Sequence, residues 1–161
     1  MHSKCKSVFN ELNARKTDSL LVRGELEIAD DCYLYHYVTG NVDSWLPDEP
    51  KPQPAVFGRP GLSVFVAGSS FPKFELIEHM EAFRVQMNWA QIGAVRFKAS
   101  DIRDPSLFEF HLVHDPHAFY REEKIVEQGP NHGMIVCLKD SEARVKLVQC
   151  CEPLERPISA D

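Results

Sequence analysis

Tyr33-Leu34-Tyr35-His36-Tyr37-Val38 is dense in aromatic and β-branched residues, and Thr39-Gly40-Asn41 closes it. Such a stretch, bounded by turn-forming residues, reads as a β-strand. Successive side chains on a strand point to opposite faces. Tyr33, Tyr35 and Tyr37 therefore share one face, and Leu34, His36 and Val38 share the other. Further strands are expected at 61–68, 93–99, 107–114, 133–138 and 144–149. The run Gly133-Met134-Ile135-Val136-Cys137-Leu138 is continuously apolar, as suits a strand covered on both faces. Leu76, Met80, Phe83 and Met87 recur at helical spacing after Pro72, with Ile77 beside them, and predict an amphipathic helix over 72–88. A second, short helix is expected at 3–16, followed by a strand or irregular stretch at 20–28. Strands cluster late in the chain and do not alternate with helices. The expectation is an α+β domain with a mainly antiparallel sheet of about six strands and two main helices. One domain over residues 1–151 and a flexible C-terminal tail over 152–161 complete the expected organisation.

Two connections stand out. Pro47, Pro50, Pro52, Pro54 and Pro60 fall within 47–60. Proline lacks the N–H donor, so this run is neither helix nor central strand but a stiff loop. Residues 115–132 read as a polar loop with a helical turn around Tyr120 to Ile125.

The 161 residues carry a formal net charge of −6, with 43% hydrophobic and 26% charged side chains. That balance is globular, and its acidic sign argues against a dedicated binder of nucleic-acid backbones. No run approaches the ~20 apolar residues of a membrane span. The five cysteines, Cys5, Cys32, Cys137, Cys150 and Cys151, form no CxxC pair and no disulfide framework. With no signal peptide at the N-terminus, a reducing, cytoplasmic setting is the simplest expectation. The adjacent Cys150 and Cys151 are either a redox pair or two inert thiols at a strand end.

Phosphate-cradling glycine loops and the GxSxG elbow are absent from the sequence. His114 and His117 could meet around Pro116 with Asp115, and with His132 they would make a metal-dependent hydrolase. However, no HxxxH or HExxH spacing supports a metal, and none is expected. His36 is either a satisfied sheet histidine or a ligand contact on the sheet surface. His132 precedes the apolar strand in Gly129-Pro130-Asn131-His132-Gly133, where either a turn or a ligand contact would use it. Glu122, Glu123, Glu127 and Gln128 form either a solvated face or a source of one catalytic carboxylate.

The strand Leu34-Tyr35-His36-Tyr37, a variable loop and Phe57-Gly58-Arg59-Pro60-Gly61-Leu62-Ser63-Val64 together resemble the early part of ADP-ribosyltransferase-like toxin domains. In that superfamily a first-strand histidine or arginine contacts the nicotinamide nucleotide. A second strand supplies a serine or tyrosine, and a late acidic residue or glutamine aligns the ribose. The resemblance assigns the first position to His36, the second to Ser63 and the third to Glu127, although neither Glu122-Glu123 nor Glu127-Gln128 has the ExE or QxE spacing. It implies a transferase that binds NAD or a similar nucleotide in a toxin or defence setting. His36 would hydrogen-bond ribose or phosphate, Tyr37 or a nearby aromatic would stack on the base, and Glu127 would stabilise the reacting centre, with His132 a further catalytic candidate. Separately, Ala55-Val56-Phe57, Leu62-Ser63-Val64, His114-Asp115-Pro116 and Pro130-Asn131-His132-Gly133 occur in the order seen in a group of small bacterial proteins with an AF…LSV…DP…PxH pattern. That likeness draws attention to Asp115 and His132 without implying an activity. The alternative to the transferase is a non-catalytic partner-binding module of the immunity or antitoxin type. Its acidic charge would suit a basic partner, and an exposed Tyr33/Tyr35/Tyr37 face would anchor it.

Overall fold

The computed structural model describes residues 27–57, 61–106, 110–115, 119–121, 124–126, 129–137, 141–154 and 158–159. The expected N-terminal helix at 3–16 and the stretch 20–26 lie outside them. Nine strands are described: β1 (Tyr33–Thr39), β2 (Gly61–Ala67), β3 (Gln91–Lys98), β4 (Phe110–His114), β5 (Phe119–Arg121), β6 (Lys124–Val126), β7 (His132–Cys137), β8 (Glu152–Pro153) and β9 (Ile158–Ser159). The helices are α1 (Leu76–Met87), α2 (Ala99–Ile102) and α3 (Ser141–Cys150). The main sheet runs β4-β7-β2-β1-β3-β8, with β9 also pairing along β3. Every pairing in it is antiparallel. This is the α+β architecture that the strand clustering predicts.

The register sorts side chains to two sides. Tyr35 faces Phe65, and Phe65 faces His132. Tyr37 faces Ala94 and Thr39 faces Ile92. On this side α1 covers the sheet, packing Met80, Phe83 and Leu76 on Tyr37, Phe65, Ile92 and Ala94. The opposite side carries Leu34, Leu62, Val64, Val66, Val95 and Phe97, closed by Phe57 and by Ala143 and Leu147 of α3. The core is thus two layers on one sheet.

Helix α1 begins later than Pro72. Glu75 caps it, its carboxylate accepting from the Glu78 N–H at 2.8 Å. Asn88 ends it in the left-handed region at φ 55°, a conformation that asparagine tolerates. Ile77 does not join the buried stripe and is 54% exposed.

Three segments differ from expectation. Residues 144–149 are helical rather than extended. Ala143, Leu147 and Cys151 recur every four residues and are buried, whereas Val145 is 46% exposed. Glu142 in the first turn favours the helix dipole. Where a helical turn is expected around Tyr120–Ile125, the described residues are extended, and β5 pairs with β6 as a small separate ribbon. The aromatic and β-branched residues of both segments suit strands. Within the expected tail, β8 pairs with Val95 and Arg96, and β9 with Gln91 and Ile92. Arg96 reinforces this join through an ion pair with Glu152 at 2.7 Å. No helix among the described residues is long and apolar enough to cross a membrane.

Candidate functional site

The centre of the sheet parts. β1 pairs with β3 along its whole length, from Tyr33↔Lys98 to Thr39↔Ile92. Its pairing with β2 covers only Tyr33, Leu34 and Tyr35. Residues 61–64 of β2 pair with β7 alone among the described strands. His36 is the first residue beyond the last β1–β2 pair. Its Nδ1 lies 2.7 Å from the Ser63 carbonyl oxygen, in solvent-exposed surroundings. The imidazole takes over a carbonyl that the ladder no longer satisfies. A carbonyl only accepts, so Nδ1 carries the proton. In the neutral ring the lone pair is then on Nε2.

The proline segment folds back beside this parting. Trp45 donates its indole N–H to the Thr39 carbonyl at 3.0 Å, and Leu46 N–H donates to Lys51 at 2.8 Å. Trp45 also lies over Gly93, where an added Cβ would come within 2.4 Å of its ring. A single helical turn at Pro54–Phe57 then delivers Phe57, whose buried ring sits 5.6 Å from that of His36. The stiff loop is therefore a wall beside His36.

Tyr37 belongs to the other side. It is 4% exposed, between Phe65 at 5.2 Å and Phe83 at 5.1 Å. Its hydroxyl lies 2.6 Å from Nδ1 of His79 on α1. Burial, and then the charges of Tyr35 and Glu75, push the phenol well above its usual range, so it keeps its proton. Burial holds the His79 imidazole below its ordinary value. A stacking role for Tyr37 does not fit this packing, because its ring is core. Tyr35 packs edge-on against Phe74, and Tyr33 carries Arg96 at 4.4 Å above its ring. The three tyrosines are accordingly not an open anchor face.

His132 lies on the α1 side as well, 2% exposed and 5.6 Å from Phe65. Its Nδ1 is 2.6 Å from the Asp115 carbonyl oxygen and 3.7 Å from the Asp115 carboxylate. Asn131 next to it donates to the Val66 and Pro72 carbonyls at 3.0 and 2.7 Å. His114 Nε2 lies 2.7 Å from the Pro130 carbonyl oxygen. These four buried polar residues tie the entry of β7 to β2, β4 and the segment before α1. The pattern that singled out Asp115 and His132 thus marks two residues that touch. His132 is on the opposite side of the sheet from His36, because Phe65 and Val64 alternate on β2. His114, paired with Gly133, is on the opposite side from His132. Among the described residues no three His, Cys, Asp or Glu side chains could hold a metal ion. His117, Glu122, Glu123, Glu127 and Gln128 lie outside the described residues.

Of the predicted site residues, the structure brings together His36 and Ser63 and separates Tyr37 and His132 from them. Ser63 is exposed, and its hydroxyl contacts Met134 Sδ at 3.6 Å. Cys150 is the last residue of α3 and Cys151 follows it, both as free thiols. Burial pushes Cys150 up to about 12 and Cys151 up to about 11, far from thiolate reactivity. His79 is the residue that sequence reading passes over. Its only signal is a histidine one helical turn before Phe83 on the sheet-facing side of α1. Comparison with protein-family models, curated proteins and solved structures finds no match to this chain.

Proposed function

We propose that this protein is a transferase that binds NAD or a similar nucleotide where β1 and β2 part. The observation that carries this reading is the contact between His36 and Ser63, the two positions that the ADP-ribosyltransferase resemblance pairs. With Nδ1 held by the Ser63 carbonyl, the ring is fixed beside the parting, where a ribose hydroxyl would meet it. The protonated ring would instead donate to a phosphate. Tyr37 has no part in the ligand contact. Glu127 keeps the role of stabilising an oxocarbenium-like ribose as nicotinamide leaves with the bonding electrons. The free thiols of Cys32, Cys150 and Cys151 suit a reducing, cytoplasmic setting.

The test is release of nicotinamide from NAD by the untagged protein, followed chromatographically. Wild type should release it, and Glu127→Gln should keep the fold and lose the release. Equal rates in both proteins would overturn the role of Glu127. Complete absence of turnover with no NAD binding would overturn the transferase.

The partner-binding alternative now draws on α1 and not on the tyrosines. Ile77 and Val85 are exposed on that helix, at 54% and 63%. Retention of NAD-free protein on a basic partner, lost in Ile77→Ser and Val85→Ser together, would favour that reading.

A further inference from the structure

We propose that His79, Phe74 and Tyr37 form a second ligand site, independent of His36, in which the His79 Nε2–H donates to the carbonyl oxygen of an uncharged aromatic carboxamide. Four observations converge on it. The Tyr37 hydroxyl lies 2.6 Å from Nδ1, where a phenol that keeps its proton can donate to that nitrogen. With the phenol donating, the single N–H of the neutral imidazole sits on Nε2. The ring is held between Phe65 at 4.6 Å and Phe74 at 4.7 Å, which fixes where the N–H points. Among the described residues Nε2 meets no acceptor, and it is not shut off from solvent.

The surroundings select the ligand. His79 stands in the first turn of α1, where the helix dipole disfavours a cation, as burial also does. The groups shown around the Tyr37–His79 pair are Tyr35 and Glu75, whose charges act on Tyr37, and His132 across Phe65. None supplies a fixed positive charge, and Glu75 repels anions. The site therefore offers a neutral donor to a neutral acceptor. Half-buried Phe74, with Tyr35 edge-on at 5.9 Å, provides an aromatic wall against which a planar ring can pack. A neutral histidine at a helix N-terminus that polarises a carbonyl is a known use of this electrostatic arrangement.

The experiment is ¹⁵N NMR of the histidine side chains in the full chain, with benzamide and benzoate as probes. The expected result at pH 7 is a neutral Nε2–H tautomer for His79. Millimolar benzamide should move that resonance and benzoate should not. Tyr37→Phe should weaken the benzamide response several-fold, because the other tautomer becomes available. His36→Ala should leave the response intact, which separates this site from the proposed NAD site. An Nδ1–H or doubly protonated ring at pH 7 would overturn the proposal, as would a resonance that benzamide leaves in place.

Discussion

His36 and Tyr37 are neighbours on β1, yet they serve opposite sides of the sheet. Tyr37 is pressed beneath α1, and its one polar atom is matched to His79. His36 sits where the sheet comes apart, and its bond to Ser63 is open to solvent. On the Tyr37 side, the buried phenol is bonded within an aromatic cluster, as stability demands of a buried polar atom. On the His36 side, a backbone carbonyl in the middle of a sheet is left to a side chain. A sheet built for stability alone would have continued the β1–β2 ladder past Tyr35. The difference makes Tyr37 a residue of the core and His36 the residue on which the proposed NAD site rests.

The sharpest way to break this contrast is to truncate each residue in turn. Tyr37→Ala should cost about 3–5 kcal/mol, the range for deleting a buried aromatic ring. His36→Ala should cost only about 1 kcal/mol or less, the net worth of a single hydrogen bond. Urea unfolding with unchanged m-values would measure both, and similar losses would erase the distinction. Asn131 tests the buried polar tie beside His132. Asn131→Ala removes two donors from otherwise committed carbonyls and should cost roughly 2 kcal/mol. A neutral result would mean that water replaces the amide.

Smaller effects sharpen the contrast further. Tyr37→Phe keeps the ring and loses the bond to His79, so it should cost about 1 kcal/mol. It should also raise the His79 pKa, since the neutral ring loses its donor. The pH dependence follows from the lowered value in the folded state. Above about pH 6.5, the ordinary histidine value, neither state binds this proton and the contribution is constant. As pH falls below that point, the unfolded chain takes up the proton first and stability is lost, until the folded pKa is passed. Comparing thermal unfolding of wild type and His79→Gln between pH 7 and pH 5 should show a steeper decline for wild type. Parallel curves would contradict the buried, neutral assignment.

Much of the frame was legible in local pattern. The period of two through Tyr33–Val38 places His36 and Tyr37 on opposite faces, and the stripe Leu76, Met80, Phe83 places α1 on the tyrosine side. The segment Val145-Lys146-Leu147-Val148 was not legible as a helix, because its alternation mimics a strand and only packing of Ala143 and Leu147 decides against it. Strands of two residues such as β8 and β9 carry no periodicity at all. At the candidate site, the types of His36 and Ser63 were readable, but their meeting was not. It depends on where a ladder between distant segments stops. His79 was hidden for the same reason, since its partner Tyr37 lies 42 residues away.

Thermal unfolding of untagged wild type and His36→Ala, each with and without millimolar NAD, tests the central claim most directly. A ligand at a hundred times its dissociation constant adds about 2.7 kcal/mol of stability, a shift of several degrees. NAD should raise the Tm of wild type and leave that of His36→Ala in place. An unchanged wild-type Tm, or an equal rise in the variant, would contradict ligand binding at the parting of β1 and β2.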